Sequence, residues 1–217
     1  KKNIKIIEDA AEAFGSKLNK KNLGTFGIAG CFSFTPTKII TTGQGGAVVS
    51  NNKKIINKIR SLKDQGRTTR KPGGDDEHGV DGFNFKFNDV LAAIGIGQII
   101  KINEKIKKIK FINNFYNKNL KFVKKIEFIK NRKGEVPLWT EIKANDKNKL
   151  FQYLLKHKIY CRKIWRPISN NIGSFKKSKF KNSEMIYNTY MWLPSGFHLN
   201  KEKLKFICDK IKKYYNI

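Results

Sequence analysis

Residues 31–50 read "CFSFTPTKIITTGQGGAVVS". An apolar run, "CFSF", passes into small hydroxyl residues around Lys38, then a glycine-rich turn, then a second apolar run, "AVVS". Two short strands joined by a polar loop account for that order. The chain carries 46 Lys+Arg, yet this stretch holds one lysine and no acid. Lys38 therefore stands out against its surroundings.

Working outward, "NIKIIEDA" (3–10) alternates and then runs apolar into Glu8 and Asp9, as a buried parallel strand does at its carboxyl end. "AGCFSFT" and "GGAVVS" follow as strands. "NNKKIINKIRSLKDQG" places Ile55, Ile56, Ile59 and Leu62 at helical spacing, with Gly66 as its stop. Residues 67–82, "RTTRKPGGDDEHGVDG", are turn-rich and form a mobile loop in this reading. Asn88 is an N-cap residue for one helix of about eight turns through Leu120, with two early glycines that permit close packing.

The character changes after Leu120. "EVPLWTEIK" and "KIYCRKIW" have strand patterns, whereas "DKNKLFQYLLKHK" and "NKEKLKFICDKIKKYY" are amphipathic helices. "NNIGSFKKSKFKNSE" (170–184) is a long polar loop. The expected fold class is α/β: residues 1–120 form part of a mostly parallel sheet with a long connecting helix, and residues 121–217 a small α+β domain.

Composition bounds the function. The formal charge is +29, from 46 Lys+Arg against 17 Asp+Glu, which favours polyanions and makes nucleic acid a candidate partner. The lysines are spread over helix faces and do not form a basic arm with interleaved aromatics, so specific nucleic-acid binding is not expected. Cys31, Cys161 and Cys208 are odd in number and far apart, as in a reducing cytoplasm without a disulfide framework. His78, His157 and His198 form no HxH or HxxxH pair, and no metal site is expected. No apolar run approaches the roughly 20 residues of a membrane span. The chain opens in a strand without an initiator methionine or a signal-peptide core, and reads as a fragment or a processed chain.

A lysine nucleophile needs a carbonyl partner, and an aldehyde cofactor such as pyridoxal phosphate (PLP) adds requirements of its own. A carboxylate must pair with the pyridine nitrogen, and hydroxyls or backbone N–H groups must hold the phosphate. Asp9 ends the first strand, Ser33 lies in the next and Lys38 follows it, and strand carboxyl ends converge in open α/β sheets. Residue chemistry leaves a second account open: Asp9 as a helix cap, Ser33 as an ordinary strand residue, Lys38 as a surface lysine.

The ordered motifs decide between them. "IIEDAAEAFGS", "LGTFGIAGCFSFTPTKIITTGQGGAVVSNN", "HGVDGFNFKFNDVLAAIGIGQI" and the closing "WRPI" and "NSEMIYNTYMWLPSG" segments closely resemble the DegT/DnrJ/EryC1/StrS family of PLP-dependent nucleotide-sugar aminotransferases, over nearly the whole chain. The resemblance implies a fold-type I PLP enzyme. By position, Lys38 matches the Schiff-base lysine and Asp9 the carboxylate on the pyridinium nitrogen. Ala11 matches the small residue against the ring face, Glu12 the residue near the ring hydroxyl, and Ser33 the phosphate-binding serine. Asn84 matches an asparagine that reaches the phosphate of the neighbouring subunit's cofactor, which implies a homodimer with shared sites.

The resemblance also implies L-glutamate as donor and a nucleotide-linked keto-sugar as acceptor, for surface polysaccharide synthesis. Relatives with histidine at the lysine position dehydrate the sugar instead, so Lys38 points to transamination. The "KIITTGQGG" form is most like members acting on 4-keto-6-deoxyhexoses, the GDP-perosamine synthases among them. Three departures stand out. The family chain ordinarily begins far upstream, in strands that supply more of the cofactor cradle. Ser169 stands where many relatives have a histidine near the substrate mouth, and Asn88 replaces a small hydroxyl residue. Two rival readings are a truncated, catalytically silent homologue and a basic nucleic-acid-binding protein.

Overall fold

The computed structural model describes residues 2–68, 77–170 and 180–217. They divide into two compact units, Lys1–Glu104 with Lys133–Val136, and Lys105–Arg132 with Pro137–Ile217.

The first unit is built on a three-stranded sheet. Strand β1 (Ile7–Asp9) is followed by a two-residue hairpin, β2 (Lys17–Leu18) and β3 (Lys21–Asn22), then by β4 (Ala29–Ser33) and β5 (Gly46–Val49). The sheet order is β1-β4-β5, with β1 and β4 parallel and β4 and β5 antiparallel. The first two runs thus form the expected parallel pair, but β1 is largely exposed and not buried: Ile7 is 66% accessible. The hairpin was not foreseen. Its turn residues Asn19 and Lys20 have φ of 49° and 66°, the positive pair that a two-residue hairpin turn requires.

Helix α1 (Lys53–Leu62) opens where Asn52 accepts N–H bonds from Lys54 and Ile55 at 3.0 and 3.3 Å. It turns Ile55, Ile56, Ile59 and Leu62 inward to partial burial. Gly66, at φ 79°, donates its N–H to Ser61 O at 2.9 Å, and a Cβ there would lie 1.6 Å from Val80 O. Only glycine closes that end. Part of the loop expected at 67–82 lies outside the described residues.

The single eight-turn helix expected from Asn88 is two helices, α2 (Asp89–Ile100) and α3 (Ile102–Leu120). Asn88 caps α2 by accepting the Leu91 N–H at 2.9 Å. The break falls at Lys101, whose φ and ψ of −96° and 12° leave the helical region and whose N–H bonds Gln98 O. Of the two early glycines, Gly95 comes close to Thr42, where a Cβ would sit 3.2 Å from a methyl, while Gly97 has nothing within 4 Å.

The second unit is an antiparallel sheet of order β6-β7-β9-β8 with helices packed on it. Its elements are β6 (Ile126–Phe128), β7 (Thr140–Ala144), α4 (Lys147–Lys156), β8 (Arg162–Lys163), α5 (Lys181–Thr189), β9 (Tyr190–Leu193) and α6 (Lys201–Tyr214). Strand β7 alternates Thr140, Ile142 and Ala144 inward with Glu141 and Lys143 outward. Ile112, Tyr116, Ile142, Leu150, Leu154, Leu204 and Ile211 are among the residues that form the core here, each at 1% exposure or less. The C-terminal part of α3 thus belongs to this core, and the division between the units falls at Glu104, earlier than the expected 120/121 boundary.

Of the polar loop expected at 170–184, residues 171–179 lie outside the described residues, and the rest corrects the reading: α5 starts at Lys181. Strand β9 passes directly from α5 with no glycine or proline between them, and pairs with both β7 and β8. Asp146, just before α4, accepts the hydroxyls of Tyr214 and Tyr215 at 2.9 and 2.8 Å, tying α4 to α6. Burial and that bond push the Tyr214 hydroxyl up to about 12.

Candidate active site

The parallel register places Ile7 opposite Ala29, Glu8 opposite Gly30 and Asp9 opposite Cys31. Both strands therefore finish at one edge of the sheet, Asp9 on β1 and Ser33 two residues past Cys31 on β4. Ala10, 2% exposed, anchors the exit of β1 by donating its N–H to Cys31 O at 2.9 Å. Asp9 keeps an exposed carboxylate whose Oδ1 accepts the Ala11 N–H at 3.1 Å. Ala11 is half-buried beside it.

Three glycines let the segment before β4 fold tightly against both strands. A Cβ on Gly30 would lie 2.0 Å from Gly24 O, and one on Gly27 would lie 2.3 Å from Ile6 O. The same segment is held by a residue to which sequence reasoning gave no role. Glu8 accepts the N–H groups of Gly24 and Gly27 at 2.7 Å and of Phe26 at 2.5 Å. Those bonds, that of Gly27 foremost, hold its carboxyl below the usual carboxylate range. The signal was a carboxylate ahead of a glycine-rich run, but the partners lie 16 to 19 residues away.

After β4 the chain makes a closed loop. Phe34 donates its N–H to Gly45 O at 2.9 Å, and its carbonyl accepts Thr42 N–H at 3.0 Å and the Thr41 hydroxyl at 3.1 Å. Ile39 and Ile40, at 3% and 1% exposure, fix the loop from inside. Gly45 has φ 113°, and a Cβ there would be 2.2 Å from the Phe87 ring, so glycine alone fits. Within this frame Ser33 Oγ lies 3.2 Å from Thr35 Oγ1, and Lys38 N–H bonds Thr35 O at 3.1 Å. The Lys38 side chain is 12% exposed, and its Nζ sits 2.8 Å from Glu12 Oε1.

The structure thus joins Lys38 to Glu12 directly and sets Asp9 and Ser33 at the same edge of the sheet. It does not join Asn84 to them through any hydrogen bond. Asn84 pairs through its backbone with Asp64, and its side chain is exposed. It stands between Phe83 and Phe85, whose rings stack at 5.1 Å and are 56% and 72% exposed. Ser169 is 6% exposed in a short 3-10 turn (Ile168–Asn170), and its Oγ has no hydrogen-bond partner among the described residues. No cluster of three or more metal-binding side chains occurs among the described residues, and no described helix is long and apolar enough to cross a membrane.

The chain belongs to the DegT/DnrJ/EryC1/StrS aminotransferase family, whose sequence profile matches residues 1–212. It is 31% identical over 220 residues to the GDP-perosamine synthase of Escherichia coli O157:H7, covering 99% of this chain and 59% of that protein. It is 32% identical over 245 residues to a UDP-4-amino-4,6-dideoxy-N-acetyl-beta-L-altrosamine transaminase of Campylobacter jejuni, covering 99% of this chain and 61% of the relative. Among solved structures it resembles Helicobacter pylori PseC, an aminotransferase involved in the biosynthesis of pseudoaminic acid, with a TM-score of 0.89 at 24% identity. That match covers 98% of this chain and 60% of PseC, and shows the fold, that of the fold-type I sugar aminotransferases. The chain therefore spans about three fifths of the length of these relatives.

Proposed function

We propose that the protein transfers an amino group to a nucleotide-linked keto-sugar, with PLP bound at the edge where β1 and β4 end. The observation that carries this reading is the Lys38 side chain, 12% exposed, at a sheet edge that also presents Asp9 and Ser33. The donor set fits PLP: one amine for the aldehyde, one carboxylate for the ring nitrogen, and hydroxyls for the phosphate. The cofactor supplies an aldehyde that condenses with amines and a ring that withdraws electrons from the attached carbon.

The chain's residues do the rest. Lys38 would hold the aldehyde through its Nζ and would move a proton at the substrate carbon. Asp9 would hold the ring nitrogen and supply the negative charge that favours its protonated form. Ser33 and Thr35 offer hydroxyls to phosphate oxygens. Ala11 leaves room for the ring face, and Glu12 lies near the ring hydroxyl. The donor is L-glutamate, which leaves as 2-oxoglutarate, and the acceptor a 4-keto-6-deoxyhexose on a nucleotide, for surface polysaccharide synthesis. The names of the perosamine and altrosamine relatives support that choice of substrate class. The same reading puts the enzyme in the cytoplasm. In the full-length protein, PLP is expected to give a visible absorbance band that L-glutamate bleaches. A spectrum showing only free cofactor would overturn the proposal.

Exposed stacked phenylalanines around Asn84 support a homodimer in which Asn84 reaches the partner's cofactor phosphate. Mixing full-length Lys38→Ala with full-length Asn84→Ala tests this. If Asn84 acts across the interface, heterodimers gather both lesions in one site and leave the other whole. Activity is then expected above the sum of the separate variants. No recovery, once subunit exchange is shown by mass, places Asn84 outside the partner's site.

A further inference from the structure

The ion pair between Lys38 and Glu12 has a consequence for how the site is charged with its cofactor. An amine that is to bond an aldehyde must offer a lone pair, and an ammonium held against a carboxylate has none to offer. The Lys38 Nζ lies 2.8 Å from Glu12 Oε1; the Lys38 side chain is 12% exposed and that of Glu12 51%. The two are separated by 26 residues, so the contact is made by the fold and not by local sequence. The backbone holds both ends of it. Lys38 rises from the loop pinned by Ile39 and Ile40, and Glu12 stands in the turn that follows Ala10, whose carbonyl accepts the Ala13 N–H at 3.0 Å.

We infer that Glu12 is a latch on Lys38: in the cofactor-free site it restrains the amine, and cofactor enters productively only as Glu12 gives it up. The inference rests on Lys38 being the amine that joins the cofactor. The coupling step is balanced by the groups present. The ammonium gives one proton to Glu12 or to solvent, the neutral nitrogen bonds the aldehyde carbon, and the carbonyl oxygen leaves as water with the amine's two remaining protons. Glu12 is thereby a positioning residue whose effect falls on loading. Its half-exposed carboxylate sets the size of that effect, because a pair open to solvent on one side is weak enough to break.

The test reads the amine itself, without turnover. Cofactor-free protein is labelled with trace acetic anhydride, in which the amine nitrogen attacks the acyl carbon and acetate and a proton leave. Peptide mass spectrometry then gives the ratio of label on Lys38 to label on Lys143, which is paired to Glu127 at 3.2 Å in the other unit and serves as internal reference. Glu12→Gln is expected to raise that ratio about two- to fivefold, the range of a partly exposed ion pair. Glu12→Asp, a carboxylate one methylene shorter, is expected to raise it as well. An unchanged Lys38 ratio in both variants overturns the latch. Failure of PLP to modify Lys38 in any variant, by borohydride reduction and peptide mapping, overturns instead the assignment on which it rests.

Discussion

Lys38→Ala is expected to abolish turnover while the full-length protein still holds PLP noncovalently. The substitution removes the amine and little else. The loop that carries residue 38 is closed by the bonds of Phe34 to Gly45 and Thr42 and by the buried Ile39 and Ile40, none of which involves the lysine side chain. Glu12 loses its partner, but at 51% exposure its carboxylate is solvated by water, so the fold is not at risk. On the proposed assignment, what disappears is both the covalent anchor and the group that moves the proton at the reacting carbon. Proton transfer by a positioned group alone contributes about 10²- to 10⁴-fold, so the loss in kcat is expected to reach about 10⁴-fold. Borohydride reduction of the wild-type protein should place the cofactor on the peptide containing Lys38. A label on Lys17 or Lys20, on the hairpin nearby in sequence, would move the chemistry elsewhere.

The parts of this fold that were legible share a cause. Helices α1 and α6 carry apolar residues at helical spacing and begin at asparagines whose side chains cap them, so pattern and cap agree. Strands β4 and β5 are apolar runs set off by glycines. The break at Lys101 was not legible, because "GQIIKINEK" contains neither proline nor an interior glycine near the kink. Strand β9 was missed for a similar reason: helix and strand abut at Thr189 and Tyr190 with no turn residue to announce the change. At the site, residue chemistry alone left Asp9, Ser33 and Lys38 with bland alternatives, and only the spacing of several ordered motifs singled them out. Glu8 shows the reverse. It sits in the most telling motif of the chain, next to Asp9, yet its three backbone bonds depend on a loop that returns only after the hairpin. Side chains that act on distant backbone leave no local pattern to read.

Asp9→Asn separates an electrostatic role from a capping one. Asparagine has nearly the same shape, and its amide oxygen can still accept the Ala11 N–H that Asp9 Oδ1 accepts at 3.1 Å. The exit of β1 is held independently, through buried Ala10 and its bond to Cys31 O, so folding should be unaffected. The negative charge alone is lost. If Asp9 faces the ring nitrogen, that charge favours the protonated ring, and the stabilisation matters most when electrons flow into the ring as the substrate proton leaves. Removing one such preorganised electrostatic contact typically costs about 10²- to 10³-fold in the chemical step. The half-reaction with L-glutamate, followed by rapid-mixing absorbance in the full-length protein, is expected to slow by that amount, while the affinity for PLP changes far less. A capping aspartate predicts the opposite pair of results: a half-reaction close to wild type, and any deficit confined to stability. Near-normal rates for Asp9→Asn would therefore return Asp9 to the role of a turn residue at the end of β1.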